Sequence, residues 1–263
     1  MKRKIILDVA LYFVSFAIIQ MAVSVVSLII RQTAEMTPTV ICVTTLISSI
    51  LTIVLFAWRK WARLSGTYIN TRPWFTLFWV ACLSVGSILP MTFAVDSTGL
   101  QMPQEMQKLF SGIMSSQFGL LAVGFIGPIA EEVVFRGAIL RRLLDFYGNR
   151  GKWTAIVLTA LLFGAVHGNL VQGINAFTLG LLLGWMYSRT RSIVPGIVFH
   201  IVNNTISVIV MRLYPAAKDM TLVEFYGGDM TRVWLSVVFS LMIFGAALYQ
   251  LNLRLNSNYA RLL

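Results

Sequence analysis

Eight stretches of the chain, near residues 5–30, 38–58, 75–95, 113–140, 153–168, 171–188, 192–212 and 231–252, are almost wholly apolar. A helix crosses the hydrocarbon of a bilayer with roughly 20 such residues, at about 1.5 Å of rise each. The sequence therefore predicts an all-α, polytopic membrane bundle of about eight transmembrane helices. Together these segments use most of the 263 residues, and no connection is long enough for a separate extramembrane domain. A single integral membrane domain over 1–263 follows, and any function must lie within the bundle. Composition agrees: only 12% of residues are charged, against about 25% in soluble proteins. An ordinary cytosolic enzyme is excluded.

The net charge of +11 is read through its distribution. Lys2, Arg3 and Lys4, and the basic clusters at 59–72, 141–152, 189–191 and 254–261, fall on one side of an eight-span topology. Asp96, Glu105, Asp219, Glu224 and Asp229 collect on the other. The positive-inside rule then predicts both termini in the cytoplasm of a bacterial-type cell membrane. The basic charge is accounted for by topology and anionic lipid, with no nucleic-acid partner. The opening Met-Lys-Arg-Lys leads into an apolar run too long for a signal-peptide core, so it reads as an uncleaved first helix. Cys42 and Cys82 lie within spans and read as small packing residues. Pro90, Pro128 and Pro195 also lie within spans, where they are expected to kink helices or loosen backbone bonding.

All five Asp sit at span ends or in connections, which leaves Glu131 and Glu132 as the central acids, with Arg136 one turn on. An ionised side chain at mid-membrane costs about 2.5–3.5 kcal/mol on insertion scales, so such groups need partners or a purpose. Glu132 and Arg136 are spaced i,i+4 and are expected to pair, leaving Glu131 as the unpaired acid. The bland alternative is an interfacial anchor at a helix end. The only two His are His167, closing the fifth span, and His200, inside the seventh. His200 and Asn204 share a helix face at i,i+4, and Phe163 stands in the same relation to His167 as an apolar wall. Either His alone reads as well as a structural interhelical hydrogen bond. Concentrated within residues 131–204, the group fits peptide-bond hydrolysis: a carboxylate to activate water, an imidazole to move a proton, and His or Asn donors for an oxyanion.

Other chemistries fit less well. Paired membrane Asp are lacking, no Gly-x-Ser loop adjoins either His, and His-Glu-x-x-His is absent. Spacing leaves open a zinc shell of His167, His200 and Glu131 from three helices.

In order, Glu131-Glu132-x-x-x-Arg136, Phe163-x-x-x-His167 and His200-x-x-x-Asn204 resemble the CAAX-protease and bacteriocin-processing family, which includes the type II prenyl-protein endopeptidases. The motif-bearing core runs from about 113 to 212. The resemblance implies an intramembrane endopeptidase acting on a membrane-associated peptide or protein. By it Glu131 activates water with His167 assisting, His200 and Asn204 stabilise the oxyanion, and Glu132 and Arg136 support the site. It implies no certain cofactor, and a divalent metal such as zinc stays open. The family also includes immunity, scaffold and regulatory members, so a non-catalytic role is the alternative, with a proton-coupled transporter using the same ionisable groups as a third reading. For the groups to meet, the fourth helix must be long and tilted, with a break near Pro128.

Overall fold

The computed structural model describes residues 2–63 and 66–255, and among these it contains helices and connections but no strand. Arg261 and the rest of the C-terminal segment lie outside the described residues, as do the side chains of Lys2, Lys218 and Asp219. Ten helices carry the argument: α1 (Lys2–Arg31), α2 (Pro38–Trp58), α3 (Gly66–Asn70), α4 (Trp74–Asp96), α5 (Gln104–Ser115), α6 (Leu120–Tyr147), α7 (Lys152–Ala165), α8 (Leu170–Thr190), α9 (Val194–Leu213) and α10 (Met230–Arg254).

Local chemistry starts several of them. Thr37 caps α2 by accepting from the Val40 amide, with Pro38 pre-set for the first turn. Asn169 accepts from the Gln172 amide at the start of α8, and Asp229 accepts from the Thr231 and Arg232 amides at the start of α10. Outward faces are apolar, as lipid requires: Ile6, Leu7, Met21 and Ile29 on α1, and Phe239 and Met242 on α10, are all exposed.

Each of the eight expected apolar segments is helical, and six single helices are long and apolar enough to cross a membrane. The other two segments depart from simple spans in ways that build the site. First, α5 and α6 meet at a bend of 88°, so the fourth segment is a broken or re-entrant pair. The break falls at 116–119 and not near Pro128, which lies inside the continuous α6. It is stabilised from α9: Arg212 donates to the Met114 carbonyl at 3.0 Å and the Ser116 carbonyl at 2.6 Å, satisfying groups the helix end leaves free. Second, α7 has only 14 residues, about 21 Å of helix at 1.5 Å per residue. That is short of the ~30 Å hydrocarbon, so α7 does not cross it as a full span. A close backbone crossing permits the turn to α8, because a Cβ on Gly164 would lie 2.7 Å from the Gly173 carbonyl oxygen. Gly164→Ala should therefore splay α7 from α8, read as a lowered midpoint in thermal unfolding.

Pro90 is interior to α4, as expected, but Pro195 sits in the first turn of α9, where no intrahelical bond is lost. The centre of the bundle is α6, in which every residue from Glu132 to Leu140 is buried. That stretch is π-helical, as is Leu120–Ile126, with an α-helical turn, Gly127–Glu131, between them. Such widened turns are rare and concentrate at functional sites.

Polar contacts define two ends of the bundle. At one, Arg142 pairs with Asp8, Arg141 donates to the Trp61 carbonyl at 2.7 Å, Arg191 pairs with Asp145 at 3.1 Å and Arg254 lies over Phe75. At the other, Asp96 accepts from the Leu222 amide at 2.7 Å near the Arg212 contacts. The basic clusters predicted to share a side thus meet at one end.

Candidate active site

Glu131 and Glu132 straddle the junction where the α-helical turn of α6 widens into the π-helical stretch. Glu132 and Arg136 are both fully buried and joined at 2.9 Å, as the i,i+4 spacing predicts. The guanidinium also lies 4.4 Å from the Phe163 ring centre, a cation–π contact strengthened by exclusion of water. Glu132 faces a second partner, with His200 Nδ1 donating to the same Oε1 at 3.2 Å. Its other oxygen, Oε2, has no hydrogen-bond partner among the described residues.

That oxygen occupies the place a side chain at position 196 would take. A Cβ on Gly196 would stand 2.4 Å from it, so the first turn of α9 must carry glycine for the carboxylate to fit. Gly196→Ala is expected to displace Glu132 and cost about 1–3 kcal/mol of stability, as overpacking of a tight interior does. Unfolding in detergent micelles measures this, and an unchanged midpoint would contradict the geometry. Sequence reading passed over Gly196. It lies four residues before His200 on the same face, but the approach of Glu132 from another helix leaves no trace in spacing.

His200 Nε2 points the other way, 3.6 Å from Glu131 Oε2, an ion pair when the imidazole is protonated, so Glu131, expected to be unpaired, has a titratable neighbour. The imidazole of a buried residue thus bridges two carboxylates from successive positions of α6. Glu131 keeps 28% of its side chain exposed, whereas Glu132 keeps none, so the neighbours differ sharply in access to solvent or substrate.

His167 stands in the turn after α7, with Nδ1 donating to the Phe163 carbonyl at 2.8 Å. That bond fixes the tautomer in which Nε2 carries the free lone pair. Phe163 is the common wall, edge-on to His167 at 5.1 Å and to His200 at 5.8 Å. Asn204, one turn after His200, donates one amide hydrogen to the Val123 carbonyl at 3.0 Å and accepts from Asn203. Its second amide hydrogen has no partner among the described residues.

Glu131, His167, His200 and Asn204 line one cavity of about 310 Å³ between α5, α6, α8 and α9. Glu132 and Arg136 lie behind it, paired with each other and in contact with His200 and Phe163. Asn203, Ser207, Gln172 and Asn175 also line it, and sequence reading missed them. Their signal was present: Asn203 and Ser207 extend the face of His200 and Asn204 at helical spacing, and Gln172 and Asn175 are three apart on α8. A neighbouring cavity of about 240 Å³, lined from α1, α2 and α6, also reaches Glu131 and His167, past Gln20, Thr45 and Ser49.

The donor set bears on metal binding. Among the described residues no three His, Cys, Asp or Glu side chains are placed to hold a metal ion, so the shell of His167, His200 and Glu131 is not formed. His200 turns both nitrogens to carboxylates, and His167 commits Nδ1 to a backbone carbonyl.

Residues 114–206 match the family model described as type II CAAX prenyl endopeptidase Rce1-like, a stretch containing all of the motif residues. The resemblance drawn from the motifs and this match fall on the same residues. Two curated proteins are also similar. "Putative membrane peptidase YdiL" of Bacillus subtilis (strain 168) is 27% identical over 138 residues, covering 52% of this chain and 54% of that protein. "Membrane-embedded CAAX protease MroQ" of Staphylococcus aureus (strain USA300) is 25% identical over 148 residues, covering 55% of this chain and 60% of that protein. The chain thus spans little more than half the length of the curated relatives it matches. No solved structure matches it.

Proposed function

We propose that this chain, similar over residues 114–206 to the type II CAAX prenyl endopeptidases, is an intramembrane endopeptidase that hydrolyses a peptide bond of a membrane-associated protein or peptide. The observation that carries the reading is the convergence of Glu131, His167, His200 and Asn204 on one cavity within the helical bundle.

Glu131, the accessible carboxylate, takes a proton from a water held against it. The water oxygen adds to the scissile carbonyl carbon. Nε2 of His167, left free by the Nδ1 bond to Phe163, accepts and returns a proton on the way to the leaving nitrogen. The developing oxyanion is met by the second amide hydrogen of Asn204 and by His200 as imidazolium, whose charge Glu132 supports through Nδ1. Collapse breaks the C–N bond, with a proton delivered to the departing amine. Every proton transfer uses a side chain at the cavity, and no step runs through a metal.

Removing one oxyanion donor costs about 10²–10³ in kcat in enzymes of this logic. Asn204→Ala should therefore lower kcat by that factor with little change in KM.

The decisive experiment uses purified full-length protein in micelles with a quenched fluorescent peptide library. Wild type is expected to cleave and His167→Ala to lose cleavage while remaining folded. Equal cleavage by both, or by neither, sinks the peptidase reading, and the latter favours a non-catalytic membrane role.

A further inference from the structure

Whether the peptide reaches these side chains from the cytoplasm, from the lipid or from the far side of the membrane sets its substrate class. The cavities supply the direction. Beyond the site cavity lies a larger one of about 670 Å³, lined by the end of α4, the 97–103 connection, α5, and the segment around Thr221 and Glu224. The two cavities share Phe110 of α5 in their walls. Both volumes fall near or within the about 300–1,000 Å³ of sites that enclose small ligands, enough for a short extended peptide.

The route follows one face of α9. His200, Asn204 and Ser207 line the inner cavity, and Met211, at the same helical spacing, lines the outer one. From His200 to Met211 is about 16 Å along a helix. An extended chain covers that distance with about five residues.

This outer cavity opens at the end marked by Asp96, Leu222 and Arg212, opposite the end where the basic clusters meet. Basic clusters mark the cytoplasmic face of membrane proteins. Its wall also suits peptide backbone more than a charged ligand. Gln101, Gln104 and Ser111 are neutral donors and acceptors, while the charged groups of the wall are engaged elsewhere: Asp96 by the Leu222 amide, Glu224 by the Thr221 cap and Lys108 by Glu105 at 3.0 Å. That cap holds the Glu224 carboxyl below its ordinary range through hydrogen bonds to Thr221.

We propose that the site is entered from the non-cytoplasmic face through this vestibule, past Phe110, by an extended and largely uncharged peptide segment of an exported or membrane-tethered chain. Phe110 is then a specificity-determining residue, selecting what passes from the outer cavity to the inner. The proposal rests on the peptidase reading for its substrate, but its direction is tested without turnover.

In full-length protein with Cys42→Ser and Cys82→Ser, single cysteines are placed at Gln104 in the vestibule wall and at Arg150 at the basic end. Intact cells are then treated with a membrane-impermeant maleimide. Gln104→Cys is expected to label in intact cells, and Arg150→Cys only after permeabilisation. The reverse pattern, or equal labelling of both, overturns the proposal. A second arm gives intact cells an impermeant quenched peptide library, with cells expressing Glu131→Gln as background. Cleavage above background without detergent supports external access. Cleavage that appears only after detergent overturns it and leaves the peptidase reading standing. Absence of cleavage in both conditions overturns that reading, and the labelling still decides the face. For Phe110→Trp, a KM raised by about tenfold with kcat little changed is the signature of impaired binding before chemistry. An equal fall in kcat with unchanged KM overturns the selecting role.

Discussion

Glu131→Gln is expected to reduce peptide cleavage by about 10²–10⁴, the contribution of a positioned general base. The substitution keeps size and shape but removes the lone-pair charge that would take a proton from water. It should leave folding nearly intact, because Glu131 keeps 28% of its side chain exposed and its partner, His200, retains the hydrogen bond to Glu132. Single-turnover kinetics on purified protein, with thermal unfolding in parallel, separates the two effects. A variant that melts as wild type and cleaves within threefold of it would remove Glu131 from the chemistry.

Arg136→Met should do the opposite, acting on the fold first. Arg136 and Glu132 are fully buried, and the guanidinium Nε has no hydrogen-bond partner among the described residues. Burial therefore rests on the 2.9 Å pair, the Phe163 ring and a long contact to the Gly180 carbonyl. Removing one member of such a pair leaves an uncompensated charge and costs about 3–5 kcal/mol. Replacing both members by uncharged groups is much cheaper. The double variant Glu132→Gln, Arg136→Met should thus unfold at a higher temperature than Arg136→Met alone. A double variant no more stable than the single one would show that the pair is not a closed electrostatic unit. Activity would fall in the double variant, where His200 loses the carboxylate that orients Nδ1.

Much of this arrangement was legible in the chain. Eight apolar segments announce helices because lipid forbids unpaired backbone, and all eight are helical. The pairing of Glu132 with Arg136, the wall Phe163 makes beside His167, and the shared face of His200 and Asn204 are local spacings that one helix or turn preserves. What stayed hidden depends on other helices. The bend after α5 falls at Ser116–Gly119, a weak signal next to Pro128, which sits in the first turn of the α-helical stretch Gly127–Glu131. His200 meeting both carboxylates, and Gly196 yielding space to Glu132, arise from how α9 lies against α6, and no periodicity within either helix encodes that crossing.

The stub of α7 has a consequence for the surrounding lipid. Trp153 and Leu161 face outward along it, so acyl chains pack against a hydrophobic wall about 9 Å shorter than the hydrocarbon they would otherwise fill. Bilayers meet such a deficit by dimpling, at fractions of a kcal/mol per ångström. On the peptidase reading, headgroup water drawn in beside this short helix would shorten the path by which hydrolytic water reaches the proposed site.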